Sequence, residues 1–389
     1  MKASGPMTEG RAGPVRISVR GMRAANSVNI LLCLAALLLS GVSAPAAAPP
    51  ADSRLAIAVT QPTERPPVTA LYLLDPQSGA ATESYRDPKA GLRLLVKMAG
   101  SDLLGAAEAL LPSDIYALLG PAAADPGALD SLSLLRVPGP GGQVSWKRVA
   151  DLPLCFSEAS PYGMWNRAPL LAVSPDRSRI AITAVRIGEK VLAGPTIRVL
   201  SMYNDQEWQL PLPGKDFRAV DLAWSADGTQ LAYAVLPLGD EHTLDASRLP
   251  EAGVYLADIQ NRTVRLFHHC YPAAVAWAPK GDRLSIAVQA DVWSGAGIIR
   301  SVSLTNGKRT EEFSVAGAAQ ALAYSPDGRW LAIQVAETGS QTVQLRATSD
   351  GWARAIYRLP AGDGRLVLLG WVRPPRAAGA AATPGSGHD

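Results

Sequence analysis

The chain has 389 residues and a formal net charge of +3, and 48% of its residues are hydrophobic. The net excess of positive charge lies in residues 1–44, so the remainder of the chain is close to neutral and has no basic runs. This balance argues against nucleic acid as the partner. Arginine greatly outnumbers lysine, and alanine, glycine and proline are abundant, which is typical of a GC-rich bacterial genome.

The first predicted element is a secretory signal over residues 22–44. Arg23 gives the charged start, residues 30–39 form a short apolar core, and Val42-Ser43-Ala44 is a small-residue cleavage site. Because the apolar core is too short to span a bilayer comfortably, we expect cleavage near Ala44 and no membrane span in the mature chain. The mature protein is therefore predicted to be periplasmic or secreted.

Strand predictions begin after a linker over residues 45–53. Arg54–Val59, Ala70–Asp75 and Ala81–Tyr85 match the second, third and fourth strands of a four-stranded unit, with no first strand before them. A divergent unit follows, and its strands are predicted over residues 92–98, 115–119, 132–137 and 144–149.

One short phrase recurs in the second half of the chain. Its copies are Leu171-Ala-Val-Ser-Pro-Asp176, Leu222-Ala-Trp-Ser-Ala-Asp-Gly228, Val275-Ala-Trp-Ala-Pro-Lys-Gly281 and Leu322-Ala-Tyr-Ser-Pro-Asp-Gly328, with a degenerate copy at Leu369-Gly-Trp-Val-Arg-Pro374. An alternating strand follows each of the first four copies at once. A period of about 50 residues with four short strands per unit predicts propeller blades.

Each phrase combines an inner strand with a tight turn. Proline presets φ at the first corner of the turn, aspartate accepts hydrogen bonds from the turn backbone, and glycine supplies a positive φ. The aromatic residue before the turn is expected to pack between neighbouring sheets, as core rather than as a ligand contact. These aromatic residues are Trp224, Trp277, Tyr324 and Trp371.

The phrase resembles the TolB-like β-propeller repeat, a relative of the WD-type repeat, over residues 169–372. Ser325-Pro-Asp-Gly328 matches the repeat fully. The copy at Ser174 lacks the glycine, the copy at Ser225 lacks the proline, and the copy at Ala278 lacks both serine and aspartate. The resemblance implies a propeller, commonly six-bladed, that acts in protein interaction or envelope assembly.

The predicted fold is all-β: a six-bladed β-propeller of four-stranded antiparallel blades over residues 54–372. Leu366–Trp371 is a first-strand phrase with nothing after it, whereas the unit that contains Leu55–Val59 lacks a first strand. We expect these two segments to pair, because a ring closed by its own ends has no free sheet edge. Outside the ring, Met22 is the expected true start and residues 373–389 are predicted to be disordered.

Binding residues are predicted on the face of the ring with the longest connections, since function concentrates in loops held by a rigid scaffold. This long-loop face carries the second-to-third and fourth-to-first connections of each blade, and the Ser-Pro-Asp-Gly turns lie on the opposite turn face. Each of these loops also has an alternative interpretation. Tyr162 and Trp165 would cap the hydrophobic end of the ring instead of binding a ligand, and the loop around residue 240 would be a solvated polar loop. The candidate binding residues are Tyr162, Trp165, Asp221, Asp240, His242 and Trp293.

Two cysteines remain after removal of the signal, Cys155 and Cys270. An even count in an oxidising compartment is compatible with a disulfide. Both are predicted on connections about two blades apart, however, and bridging needs Cα atoms within about 7 Å. A Cys155–Cys270 disulfide and two free thiols both stay open. Neighbours in His268-His269-Cys270 point to opposite strand faces, so no metal site is predicted, and no cofactor is expected.

Two classes of function fit this sequence. The first is an exported TolB-like propeller that binds a protein or an envelope component. The second is a propeller hydrolase or lyase with a polar pocket at the central funnel. The predicted inner strands are almost entirely alanine, leucine and valine, with Asp221 as the exception, and there is no Gly-x-Ser-x-Gly elbow. Binding is therefore favoured over catalysis, and no catalytic residue is predicted.

Overall fold

The computed structural model of the protein describes residues 48–61, 68–86, 92–95, 97–98, 114–119, 128–129, 131–136, 145–150, 154–155, 170–176, 178–184, 196–201, 203–204, 206–214, 217–237, 250–289 and 297–372. The predicted signal and the predicted disordered tail lie outside these residues. Within them the chain is built from β-strands, and no helix is long and apolar enough to cross a membrane.

Three successive sheets each contain four antiparallel strands in chain order, as the repeated phrase predicts. The first comprises β15 (Phe217–Trp224), β16 (Gln230–Pro237), β17 (Gly253–Asp258) and β18 (Thr263–His269). The second comprises β19 (Pro272–Trp277), β20 (Arg283–Gln289), β21 (Gly297–Ser303) and β22 (Arg309–Val315). The third comprises β23 (Ala318–Tyr324), β24 (Trp330–Glu337), β25 (Ser340–Ala347) and β26 (Ala353–Pro360).

A fourth four-stranded sheet joins the two ends of the ring, and a fifth is the predicted divergent unit. The joining sheet has the order β27 (Arg365–Val372), β1 (Arg54–Gln61), β2 (Val68–Leu74) and β3 (Ala81–Arg86). The divergent sheet has the order β4 (Leu92–Leu95), β6 (Asp114–Leu119), β8 (Ser131–Arg136) and β9 (Ser145–Ala150). Its strand bounds fall close to those expected from the sequence.

The remaining large sheet has five strands, not four. Its order is β14 (Glu207–Leu210), β13 (Thr196–Ser201), β12 (Arg179–Ala184), β11 (Leu171–Val173) and β5 (Lys97–Met98). The added strand β5 runs parallel to β11, and it comes from the segment that follows β4. A small two-stranded sheet pairs β7 (Ala128–Leu129) with β10 (Leu154–Cys155).

The structure confirms an all-β propeller with four-stranded antiparallel blades, but it does not confirm the predicted count of six. Only five of the described sheets have four strands, and the sixth large sheet departs from that pattern through β5. The predicted first strand over residues 92–98 is divided, because β4 pairs within its own blade whereas β5 pairs with the neighbouring blade.

The predicted pairing of the two ends is present. β27 runs antiparallel to β1, with Leu55 opposite Trp371 and Val59 opposite Leu366. The other edge of β27 is held by two glutamine side chains from the preceding blade. Gln334, which is 4% exposed, accepts from the Leu368 N–H at 2.8 Å and donates to the Leu366 carbonyl at 2.8 Å. Gln341 accepts from the Leu366 N–H at 3.1 Å. Both edges of the closing strand are therefore hydrogen-bonded.

The aromatic residues of the phrase are buried between blades, as predicted, and they also form a repeated hydrogen bond that the sequence analysis missed. The Trp224 indole N–H donates to the Ala172 carbonyl of the preceding inner strand at 3.0 Å. Trp277 donates in the same way to Ala223 at 2.8 Å. Trp371 donates to the Ala323 carbonyl at 3.2 Å. Each indole thus fills the space between two sheets and fixes their spacing.

Candidate functional site

The turns of the repeated phrase are closed by a serine and an aspartate. Ser225 Oγ donates to Asp227 Oδ1 at 2.6 Å and accepts from the Gln230 N–H at 2.9 Å. Asp227 Oδ1 also accepts from the backbone N–H of Thr229 at 3.0 Å. Burial opposes the negative charge, but these hydrogen bonds outweigh it and hold the pKa of Asp227 below its usual value. The turn aspartate is therefore an ionised structural group.

Neighbouring turns pack against each other through proline and glycine. Gly228 has φ near +70°, and a Cβ built on it would lie 3.6 Å from Pro175 Cδ in the preceding turn. Gly328 has φ near +71°, and its Cβ would lie 3.4 Å from Pro279 Cδ. The proline of one turn thus covers the glycine of the next. This packing closes the junction between the two turns at the turn face.

One junction breaks this pattern and is open. Ala226 stands where the other copies of the turn have proline, and a Cβ built on Gly281 of the next turn would meet no atom within 4 Å. A cavity of about 350 Å³ lies at this junction. We call it the junction groove. It is lined by Ser225, Ala226, Asp227, Thr229, Gln230, Arg265, Trp277, Pro279, Lys280, Gly281 and Leu304.

The charged side chains of the junction groove are one acid and two bases. Asp227 lies on one side, and Lys280, which replaces the aspartate of the phrase, lies on the other. Arg265 comes from β18, and its guanidinium lies 5.3 Å from the Phe267 ring centroid. Lys280 and Arg265 are both exposed, and among the described residues neither has an ion-pair partner. Two cations that lack an ion-pair partner in the described part of the chain therefore line the same opening.

The junction groove lies on the turn face, whereas the candidate binding residues were predicted on the long-loop face. Tyr162, Trp165, Asp240, His242 and Trp293 lie outside the described residues, so they stay predictions. The sequence did contain a signal for the groove. Two successive copies of the phrase depart from it at positions that meet across one junction: Ala226 replaces proline, and Lys280 replaces aspartate.

Asp221, the remaining candidate, has an identifiable structural role. Its Oδ1 accepts from the Leu222 N–H at 2.9 Å, and its Oδ2 accepts from the Val275 N–H of the next inner strand at 2.8 Å. The carboxylate therefore links β15 to β19 beside the irregularity between Ala219 and Asp221. These two hydrogen bonds explain why an aspartate lies in an otherwise apolar strand, and no ligand is needed to explain it.

Cys270 carries a free thiol that is half-buried. Burial raises the pKa of this thiol to about 12, so it is un-ionised at neutral pH. The structure thus does not show the Cys155–Cys270 disulfide. The backbone of Cys155 lies in β10, but its side chain lies outside the description, so the choice between the disulfide and two free thiols stays open. Burial also lowers the pKa of the adjacent His268 imidazole. Among the described side chains no group of three or more histidine, cysteine, aspartate or glutamate residues is arranged to hold a metal ion.

Comparison with known proteins gives a match at the level of fold. No family model and no curated sequence matches the chain. TolB from Acinetobacter baumannii superposes with a TM-score of 0.53 at 16% identity, covering 82% of this chain and 67% of that chain. A chain assigned to TolB from Agrobacterium tumefaciens gives 0.50 at 14% identity, covering 82% and 93%. A chain from a nidogen/laminin complex gives 0.52 at 11% identity, covering 82% and 97%. The TolB-like propeller fold implied by the repeated phrase is thus confirmed, and identities this low show the fold alone.

Proposed function

We propose that this TolB-like β-propeller is an exported protein of the bacterial envelope that binds a protein partner. The observation that carries the proposal is the junction groove, where two departures from the repeated phrase leave an opening with unpaired charges. The ring supplies a rigid platform, since its inner strands are bonded to each other by indole, amide and carboxylate side chains. Rigid scaffolds that present polar openings suit recognition by a partner surface.

The enzyme alternative has less support. A propeller hydrolase or lyase would need acids or bases that converge on the central funnel, and Asp221 was the candidate acid of the inner strands. Its carboxylate instead accepts hydrogen bonds from two backbone N–H groups, of Leu222 and Val275, and so links two neighbouring inner strands. A binding role is therefore the favoured function.

The ring of the proposed module has six blades. In support of this count, the inner strands contact one another in a closed cycle that runs through β27, β5, β11, β15, β19 and β23 and back to β27. In this interpretation, β4 and β5 together supply the inner position of the divergent blade. The five-stranded sheet is then a four-stranded blade to which a neighbouring blade adds one short strand.

Export predicts a defined mature N-terminus. The protein expressed with its own leader is expected in the periplasm or the medium, with its first residue near Pro45, because the small residues before it suit signal peptidase. N-terminal sequencing of the fractionated protein checks this. A mature chain that retains residues 22–44 would contradict the prediction and would indicate a membrane-anchored protein.

Partner binding can be tested with site-specific photocrosslinking in intact bacteria. A benzoylphenylalanine is placed at Thr229 in the junction groove, at Trp293 on the predicted long-loop face, or at Thr310 on the outer strand β22 as the control. We expect a discrete protein adduct from at least one of the two faces and none from Thr310, because a specific interface occupies one patch of the surface. Mass spectrometry then identifies the adduct as an envelope protein.

Two results would oppose this proposal. The absence of an adduct at both faces, in cells where the protein accumulates in its exported form, would argue against a protein partner. Equal adducts at all three positions would indicate non-specific contact rather than an interface.

A further inference from the structure

The junction groove differs in the sign of one wall from the junction that precedes it. The junction that follows also carries Lys280, but there Pro279 covers Gly328 and closes the space. At the junction between Asp176 and Asp227, both turns present an aspartate, so an anionic ligand would be repelled from both sides. At the junction groove the second turn presents Lys280, and Arg265 lines the same opening. The charge pattern of this junction therefore favours an anion where the other favours a cation.

The acid of the junction groove offsets its cations only in part. Asp227 Oδ1 already accepts hydrogen bonds from the Ser225 hydroxyl at 2.6 Å and from the Thr229 hydroxyl at 2.9 Å. Two turn hydroxyls thus offset part of its charge, whereas within the described part of the chain neither Lys280 nor Arg265 has an ion-pair partner. An arginine and a lysine that line one opening suit a carboxylate, since both cations donate charge-assisted hydrogen bonds.

The size and lining of the groove suit a side chain of a peptide. A volume of about 350 Å³ lies at the small end of ligand pockets, which run from about 300 to 1,000 Å³. Trp277 supplies apolar surface to the lining, and Ser225, Thr229 and Gln230 supply polar groups. An acidic side chain together with adjacent peptide backbone would match this mixture of cations, aromatic surface and hydroxyls.

We infer that the junction groove binds an acidic segment of a protein partner, with a carboxylate held between Lys280 and Arg265. This inference rests on the proposed function, and it names the chemistry of the partner and the site that recognises it. The groove exists because Ala226 leaves Gly281 uncovered, and its charge follows from Lys280. Both features are single departures from the repeated phrase, so both can be reversed by restoring the residue that other copies carry.

The test measures binding of a fluorescein-labelled peptide of alternating glutamate and serine to the full mature chain by fluorescence anisotropy. The control peptide has glutamine in place of glutamate. Lys280→Asp restores the aspartate of the phrase and reverses the charge. Ala226→Pro restores the proline that covers the next glycine, and the Ala226 N–H makes no hydrogen bond within the described part of the chain that proline would remove. Arg329→Asp is the matched charge reversal on the turn of another blade.

We expect the acidic peptide to bind and the glutamine peptide to bind at least about tenfold more weakly, with binding that weakens as salt is added. Lys280→Asp and Ala226→Pro should each reduce affinity by about tenfold or more, whereas Arg329→Asp should change it by less than about twofold. Both groove variants should melt at or above the temperature of the parent, because each restores a residue that the same turn carries elsewhere.

Either of two results would overturn the inference: equal affinity for the two peptides, or affinity for the acidic peptide that neither groove variant changes. The photocrosslinking experiment separates this failure from failure of the proposed function. If a partner adduct forms at Trp293 and persists in the Lys280→Asp and Ala226→Pro variants, the protein is a binding module but the groove is not its site. If the acidic peptide binds as expected and no adduct forms at either face, the groove chemistry stands and the envelope partner is contradicted.

Discussion

Removal of residues 365–389 is expected to abolish the cooperative unfolding of this protein. The deletion takes away β27, which pairs with β1 on one edge and is hydrogen-bonded to the side-chain amides of Gln334 and Gln341 on the other. It also leaves the buried amide of Gln334, 4% exposed, without its backbone partners. An open inner position and an unpaired strand edge promote aggregation. Circular dichroism melting and light scattering of the purified mature chain measure both effects.

A shorter deletion provides the control for this truncation. Removal of residues 376–389 leaves all of β27 in place, so its melting curve and its mass in solution should match those of the parent. If the longer truncation stays monomeric and melts like the parent, ring closure by β27 does not stabilise the fold. The proposed count of six blades would then lose its support as well.

Trp224→Ala and Trp277→Ala are each expected to reduce the free energy of unfolding by about 3–5 kcal/mol, the usual cost of emptying a buried aromatic site. Trp224 is 2% exposed and Trp277 is 9% exposed, and each lies between two blades. Their loss opens a cavity and also removes a hydrogen bond to the preceding inner strand. Urea unfolding at constant temperature measures the change.

Two further variants separate packing from hydrogen bonding. Trp224→Phe keeps most of the ring volume but leaves the Ala172 carbonyl without its indole donor, so it should cost about 1–3 kcal/mol. Tyr203→Ala removes an aromatic ring that is 78% exposed, and its effect should lie within about 0.5 kcal/mol of zero. Unchanged unfolding of both tryptophan-to-alanine variants would show that these residues do not support the interface between blades.

The blades and their closure could be predicted from the sequence because both depend on local signals. Alternation of apolar and polar residues identifies each strand. The turn residues Asp227 and Gly228 fix where the following strand begins, and this depends only on residues near them in the sequence. The pairing of β27 with β1 followed from a complementary absence at the two ends. These inferences need only the knowledge that every sheet edge in a ring finds a partner.

Contacts between blades could not be predicted in the same way. The hydrogen bond from Trp224 to the Ala172 carbonyl depends on the distance between two sheets, which the sequence does not state. Asp221 was predicted to be a binding residue because it is polar in an apolar strand, but its carboxylate accepts a hydrogen bond from the N–H of Val275 in the next blade. The parallel addition of β5 to β11 depends in the same way on a neighbour that local periodicity does not show.

The junction groove could be predicted from the sequence only in part. Its two determinants, Ala226 and Lys280, were visible as departures from the repeated phrase, but they appeared to be independent weaknesses of single blades. The packing of Pro175 on Gly228 shows that the proline of one turn belongs with the glycine of the next. Neighbouring copies of a repeat should therefore be compared position by position, because a substitution in one copy changes the packing of the copy that follows.

The pairing of Arg54 with Val372 also fixes where the chain enters and leaves the ring. Both residues lie at the same end of one sheet, beside the turns that follow the inner strands, so both ends of the ring lie close together on the turn face. A tether, a fusion partner or a membrane attachment joined at either end would therefore reach the ring from the turn face. The long-loop face lies at the opposite end of the sheets from both of these points.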